Sequence, residues 1–158
     1  MKLLLVGAGV IGTVYGAHLA AGGVTVSVLD HGRRTREVAR DGLVALDVLD
    51  GQRVQFPANV VPTAGVDAYD VVLVAVRRDQ LAAALNDLEC LAGEPALLIF
   101  GNNPAGRSVI PSNRWRAIHL GFPGVGGALV DGVAQFVRIP QQPTALEVGN
   151  DPHIRRSG

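Results

Sequence analysis

The chain has 158 residues, enough for one domain with a core of its own. Apolar residues make up 48% and charged residues 18%, which excludes a disordered chain; the formal net charge is zero, and no basic block suits nucleic acid or an anionic membrane. Cys90 is the only cysteine, so an internal disulfide and a cysteine-based zinc site are excluded, and a reducing, cytoplasmic setting is the expectation.

From Leu3 to Val24 there is no Asp, Glu, Lys or Arg. The stretch is long enough to span a membrane, and Gly12-x-x-x-Gly16 is a packing motif of membrane helices. Lys2 and the small residues Ala20-Ala21 also allow a signal-peptide reading. The internal punctuation argues against both. Leu3 to Val6 is an apolar run of strand length. Gly7-Ala8-Gly9-Val10-Ile11-Gly12 then spells G-x-G-x-x-G. Val10, Val14, Ala17 and Ala21 follow at helical spacing, and Gly22-Gly23 stops the helix. Val24 to Leu29 alternates as a second strand, and Asp30 ends it, 18 residues after Gly12.

Strand, glycine turn, helix, strand and acid in this order make a βαβ unit suited to a dinucleotide. Gly7 permits the tight turn out of the first strand. Gly9 offers no side chain to block a diphosphate, and Gly12 lets the helix pack closely. The amides of Val10, Ile11 and Gly12 at the helix N-terminus are then free to face the diphosphate, with Ala8 in the loop between them and the strand.

Arg33 to Arg40 reads as a short polar helix closed near Gly42. Leu43 to Phe56, broken at Asp50-Gly51, reads as a hairpin. Asp70 to Val76 is an apolar run typical of a parallel strand buried on both faces. Gln80 to Leu91 reads as a helix with Leu81, Ala84, Leu85, Leu88 and Leu91 on one face. Cys90 falls in it and reads as a core or partly buried thiol. Ala96 to Phe100 is another buried strand, followed by the loop Gly101 to Gly106. Arg116 to Leu120 reads as a sixth strand, with a glycine-rich loop, Gly121 to Gly127, after it. Ala134 to Ile139 and Thr144 to Val148 read as two short strands that could pair. Residues 1–150 thus form one α/β domain, a doubly wound, mostly parallel sheet that binds ligand at its strands' carboxyl ends. Lys2 lies at the opposite edge. Residues 151–158 form a polar tail.

The form of the dinucleotide stays open at this level. Asp30 suits the two ribose hydroxyls of NAD. Arg33 and Arg34 suit the 2′-phosphate of NADP. A carboxylate beside that phosphate repels it, so the signals conflict. His31 could face either group or water.

The combined pattern resembles the N-terminal domain of the ketopantoate reductase family (2-dehydropantoate 2-reductases). The resemblance rests on the run Gly7 to Ala20, the Arg40-Asp41-Gly42-Leu43 turn, and Val71 to Arg77 with Gln80. It implies a Rossmann-type fold, NADPH as cofactor and hydride transfer to a 2-keto acid in pantothenate biosynthesis, with a lysine as proton donor. Val76 and Arg77 then fall beside the cofactor, Arg77 standing where the family usually has lysine. His31 falls where the family often has an arginine for the 2′-phosphate, so Arg33 or Arg34 would substitute. Asn102 or Asn103 matches the family's asparagine near nicotinamide and substrate. The family continues into a helical C-terminal domain that carries the catalytic lysine, and this chain stops before it. The expectation is therefore a cofactor-binding domain that holds nucleotide without turnover, or else a non-catalytic NAD(P)-sensing module. Apolar surface around Phe122 and Pro123 makes self-association a further expectation.

Overall fold

The computed structural model describes residues 1–65, 67–101, 106–111 and 113–147. In chain order the elements are β1 (Lys2–Val6), α1 (Val10–Ala21), β2 (Thr25–Leu29), α2 (Arg33–Asp41), β3 (Leu43–Asp47), β4 (Arg53–Phe56), β5 (Asn59–Val61) and β6 (Val71–Val74). They continue with α3 (Leu81–Asp87), β7 (Ala96–Phe100), β8 (Ala117–Phe122), β9 (Val125–Val130), β10 (Val133–Arg138) and β11 (Ala145–Leu146).

One sheet has the order β11-β8-β7-β6-β1-β2-β5. All its pairings are parallel except that of β11 with β8. Leaving β11 aside, the parallel strands run 3-2-1-4-5-6 by their own sequence, the doubly wound Rossmann arrangement. The order reverses between β1 and β6, so a crevice opens there beyond the strands' carboxyl ends. A second sheet, β4-β3-β10-β9, joins the β3–β4 hairpin to the β9–β10 hairpin through a parallel β3–β10 pairing.

The uncharged opening stretch has a packing cause. Successive side chains of β1 point to opposite faces. Leu3 and Leu5 enter one core with Val14, Ala17, Val28, Leu43 and Phe136. Leu4 and Val6 enter the other with Val72, Val74, Leu81, Leu88, Leu97 and Trp115. Each fully buried leucine contributes on the order of 2 kcal/mol. Helix α1 lies between the two sheets, touching β1 and β2 on one side and β3, β4, β9 and β10 on the other. A helix covered on both sides has no use for charge. The Gly12-x-x-x-Gly16 spacing serves the same packing. A Cβ on Gly12 would meet the Gly7 carbonyl oxygen at 2.0 Å, and one on Gly16 would meet Leu43 Cδ1 at 2.8 Å. Among the described residues no helix is long and apolar enough to cross a membrane.

Four readings of the sequence need correction. Helix α3 stops at Asp87, preceded by a 3-10 turn over Arg78–Gln80; Leu88 and Leu91 still reach the core, from the turns that follow. Cys90 lies beyond the helix and is exposed. Gly121 to Gly127 is not a loop: Gly121 and Phe122 finish β8, and Val125, Gly126 and Gly127 open β9. Glycines suit that place because β9 runs hard against β10, where a Cβ on Gly127 would meet the Gln135 carbonyl oxygen at 2.0 Å. The last two expected strands do not pair with each other. β10 lies between β3 and β9, and β11 is an edge strand on β8. Short strand β5, flanked by Pro57 and Pro62, carries no alternation long enough to announce itself, yet it closes the main sheet beside β2.

Candidate dinucleotide site

A cleft of about 660 Å³ opens at the crevice between β1 and β6. Gly7, Gly9, Val10 and Ile11 line it from the loop after β1 and the first turn of α1. Asp30 and Arg34 line it from beyond β2, and Ala75, Val76, Arg77, Arg78 and Gln80 from beyond β6. Phe100, Gly101 and Pro123 complete the wall. Every one of these segments follows the carboxyl end of a parallel strand or opens the helix after it.

The loop is stitched in place through its backbone. The Gly7 amide donates to the Leu29 carbonyl at 3.1 Å, and the Ala75 amide donates to the Val6 carbonyl at 2.9 Å. Gly7 has φ +91°, a conformation that a side chain rarely adopts, and a Cβ there would also strike Val76 Cγ1 at 2.6 Å. Around Gly9 the situation is opposite. Nothing stands within 4 Å of the place where a Cβ would be, because that place is open cleft. Gly9 also serves as the N-cap of α1, with no capping side chain and no acidic residue in the first turn. No side chain of the helix itself therefore covers its positive end, which meets the cleft.

Ala8 is wholly buried and carries the polar centre of the loop. Its amide donates to Asp30 Oδ2. Its carbonyl accepts from Thr13 Oγ1 at 3.1 Å and from Arg34 Nε at 2.8 Å. The other carboxylate oxygen of Asp30 accepts the His31 amide at 2.6 Å. Asp30 is thus aimed by two backbone donors while still facing the cleft.

The cations expected near Asp30 differ in their placement. Arg34 Nη1 binds Glu37 Oε2 at 2.6 Å and the Gly132 carbonyl at 3.2 Å, and Nη2 donates to Thr13 Oγ1 at 3.1 Å. The guanidinium hydrogen bond from Arg34, with Arg33 adding to it, holds the Glu37 carboxyl below its ordinary range. Arg33 leans on Glu37 at 3.0 Å, its side chain 85% exposed, and does not line the cleft. His31 turns toward α3, its Nε2 3.0 Å from Asp87 Oδ2. Arg77 pairs with Asp79 at 3.1 Å at the rim. Asn102 and Asn103 lie outside the described residues.

Sequence reasoning did not single out Phe100, Arg78 or Pro123 as parts of the wall. Phe100 packs on Tyr15, ring centroids 4.6 Å apart, and so links β7 to α1 beside the glycine loop. Its place at a strand's carboxyl end was the available signal. Phe122 is exposed, as anticipated for that edge, while Pro123 faces the cleft.

Comparison with known proteins agrees with this fold. Residues 3–108 match the family model described as ketopantoate reductase PanE/ApbA. A PanE/ApbA family ketopantoate reductase from Ralstonia eutropha JMP134 is 20% identical, with a TM-score of 0.71 over 87% of this chain and 46% of that one. The 2-dehydropantoate 2-reductase from Methylococcus capsulatus is 24% identical, with a TM-score of 0.63 over 87% and 45%. A D-mandelate dehydrogenase solved with NADH and anilino(oxo)acetate is 21% identical, with a TM-score of 0.69 over 87% and 45%. The chain thus spans a little under half the length of the solved structures it matches. No curated protein matches it. On the matching family model, the chain belongs to the ketopantoate reductase family.

Proposed function

We propose that this chain is the cofactor-holding part of an oxidoreductase that moves hydride between a nicotinamide dinucleotide and a small 2-keto acid such as 2-dehydropantoate. The observation that carries the reading is the bare Gly9 position at the uncapped N-terminus of α1, open to a cleft at the sheet's switch point. A diphosphate needs that combination of space, amide donors and positive helix end. Such a cofactor, when bound, supplies the hydride. The chain's own residues do the holding. The glycine loop receives the diphosphate, Asp30 stands at the adenosine-ribose end, and Val76 and Arg77 border the opposite wall. NADPH, the form implied by the family resemblance, requires Arg33 to turn from Glu37 into the cleft. The D-mandelate dehydrogenase match, solved with NADH and an oxo-acid ligand, supports the substrate class.

The proton for the reduced keto oxygen has no lysine donor here. The single lysine, Lys2, begins β1, at the edge of the sheet opposite the cleft. Arginine stays protonated and makes a poor acid. The chain by itself therefore binds dinucleotide without reducing ketopantoate. The same observation favours a second reading, a dinucleotide-sensing module. Fluorescence titration of the chain with NADH and NADPH tests the common part, and absence of binding by both sinks it. Steady-state oxidation of either cofactor with ketopantoate at enzymatic rates would overturn the claim of no turnover. Complementation by a separate lysine-bearing helical domain would favour the reductase over the sensor.

A further inference from the structure

Resting on the dinucleotide reading above, we infer that the site selects the cofactor with a free 2′-hydroxyl, NADH, and that Asp30 is the residue that discriminates. The inference stands on what surrounds the ribose end of the cleft. The Asp30 carboxylate is fixed there by the Ala8 and His31 amides. Each of its oxygens keeps acceptor capacity for a hydroxyl, and neither can accommodate a phosphate bearing a charge of about −2.

The neighbouring cations do not offset that repulsion. Arg34 has its Nε and both terminal nitrogens engaged, by the Ala8 carbonyl, Thr13, Glu37 and the Gly132 carbonyl. It joins the glycine loop, α1, α2 and the β9–β10 turn, so it is a positioning residue. Arg33 pairs with Glu37 and does not line the cleft. His31 is drawn toward Asp87. Arg77 and Arg78 enter from β6, on the other side of β1 from Asp30.

The test is a pair of titrations of the full 158-residue chain with NADH and NADPH, followed by competition with ADP and 2′,5′-ADP. Native chain is expected to hold NADH at least about tenfold tighter than NADPH, the scale of one charge-assisted hydrogen bond lost and a repulsion gained. ADP is expected to compete better than 2′,5′-ADP. Asp30→Ser should bring the two cofactors within about threefold of each other. Arg33→Ala should leave the NADH-to-NADPH ratio unchanged. Arg34→Ala should weaken both cofactors together, because it loosens the loop that holds their common diphosphate. Tighter binding of NADPH by the native chain overturns the inference while leaving the dinucleotide site intact. So does a loss confined to NADPH in either arginine variant. Binding of neither cofactor removes the dinucleotide reading itself. The native-chain comparison decides the matter even if Asp30→Ser does not fold.

Discussion

Gly9 and Gly12 stand three positions apart in one motif, and alanine should fail at them for different reasons. At Gly12 the added methyl would lie 2.0 Å from the Gly7 carbonyl oxygen and 3.2 Å from Leu5 Cδ1. Ordinary contact begins more than 1 Å further out, and the nearest atom is backbone that cannot rotate away. Helix α1 must lift from β1, with loss of packing at Val14, Ala17 and Leu43. Overpacking of this kind costs about 1–3 kcal/mol. For a domain of this size that is roughly 3–10 °C in Tm. At Gly9 the methyl meets nothing within 4 Å, and the backbone φ of −70° suits alanine. Alanine is a poorer N-cap than glycine, so the unliganded chain should lose no more than about 1 kcal/mol. The methyl instead occupies the space proposed for the diphosphate, and dinucleotide affinity should fall by roughly 10- to 100-fold. Thermal unfolding by circular dichroism gives the first quantity, and NADH fluorescence titration gives the second. The reasoning is refuted if Gly9→Ala destabilises the chain as much as Gly12→Ala, or if Gly9→Ala binds cofactor as the parent does.

Three further outcomes follow from the structure. Leu88 is fully buried between α3 and the main sheet, so Leu88→Ala should cost about 2–5 kcal/mol in urea unfolding, and a loss under 1 kcal/mol would show that the turn after α3 is not part of the core. Asp47 is held below its ordinary pKa by the Leu49 amide and then by Arg138, and Glu37 by Arg34 and then Arg33. A depressed carboxylate stabilises the fold above its unfolded pKa and loses that contribution as pH falls through the folded value. Stability should therefore be level above about pH 5 and decline progressively below about pH 4, where Asp47→Asn should flatten part of the decline in pH-dependent urea midpoints. Cys90 is exposed and lies away from the cleft, so a maleimide should label the native chain to completion without changing dinucleotide affinity; slow labelling that needs denaturant would place the thiol in the core instead.

The legible parts of this chain were those set by local backbone chemistry. Gly7 with its positive φ, the apolar runs of β1 and β6, and the polar helix α2 closed at Gly42 each follow from short-range rules. Gly121 to Gly127 reads as a loop because glycine marks both turns and strands crossing close to another backbone, and only the β9–β10 register tells them apart. Sequence spacing makes α3 look longer than it is, because Leu88 and Leu91 keep helical spacing although the chain has already left the helix.

Sequence by itself determined that a strand, a bare glycine turn and a helix come first and that an acid follows the second strand, since each depends on side chains within a few positions. Only the tertiary structure decided what the charges do. Arg34 and Arg33 are equivalent in sequence, yet one is drawn in by Ala8, Thr13, Glu37 and Gly132 and the other stands in solvent. Gly132 is 98 residues from Arg34 along the chain, and no local pattern carries a contact of that range. The partner of a charge is fixed by packing, and packing is complete only when both sheets have closed around α1.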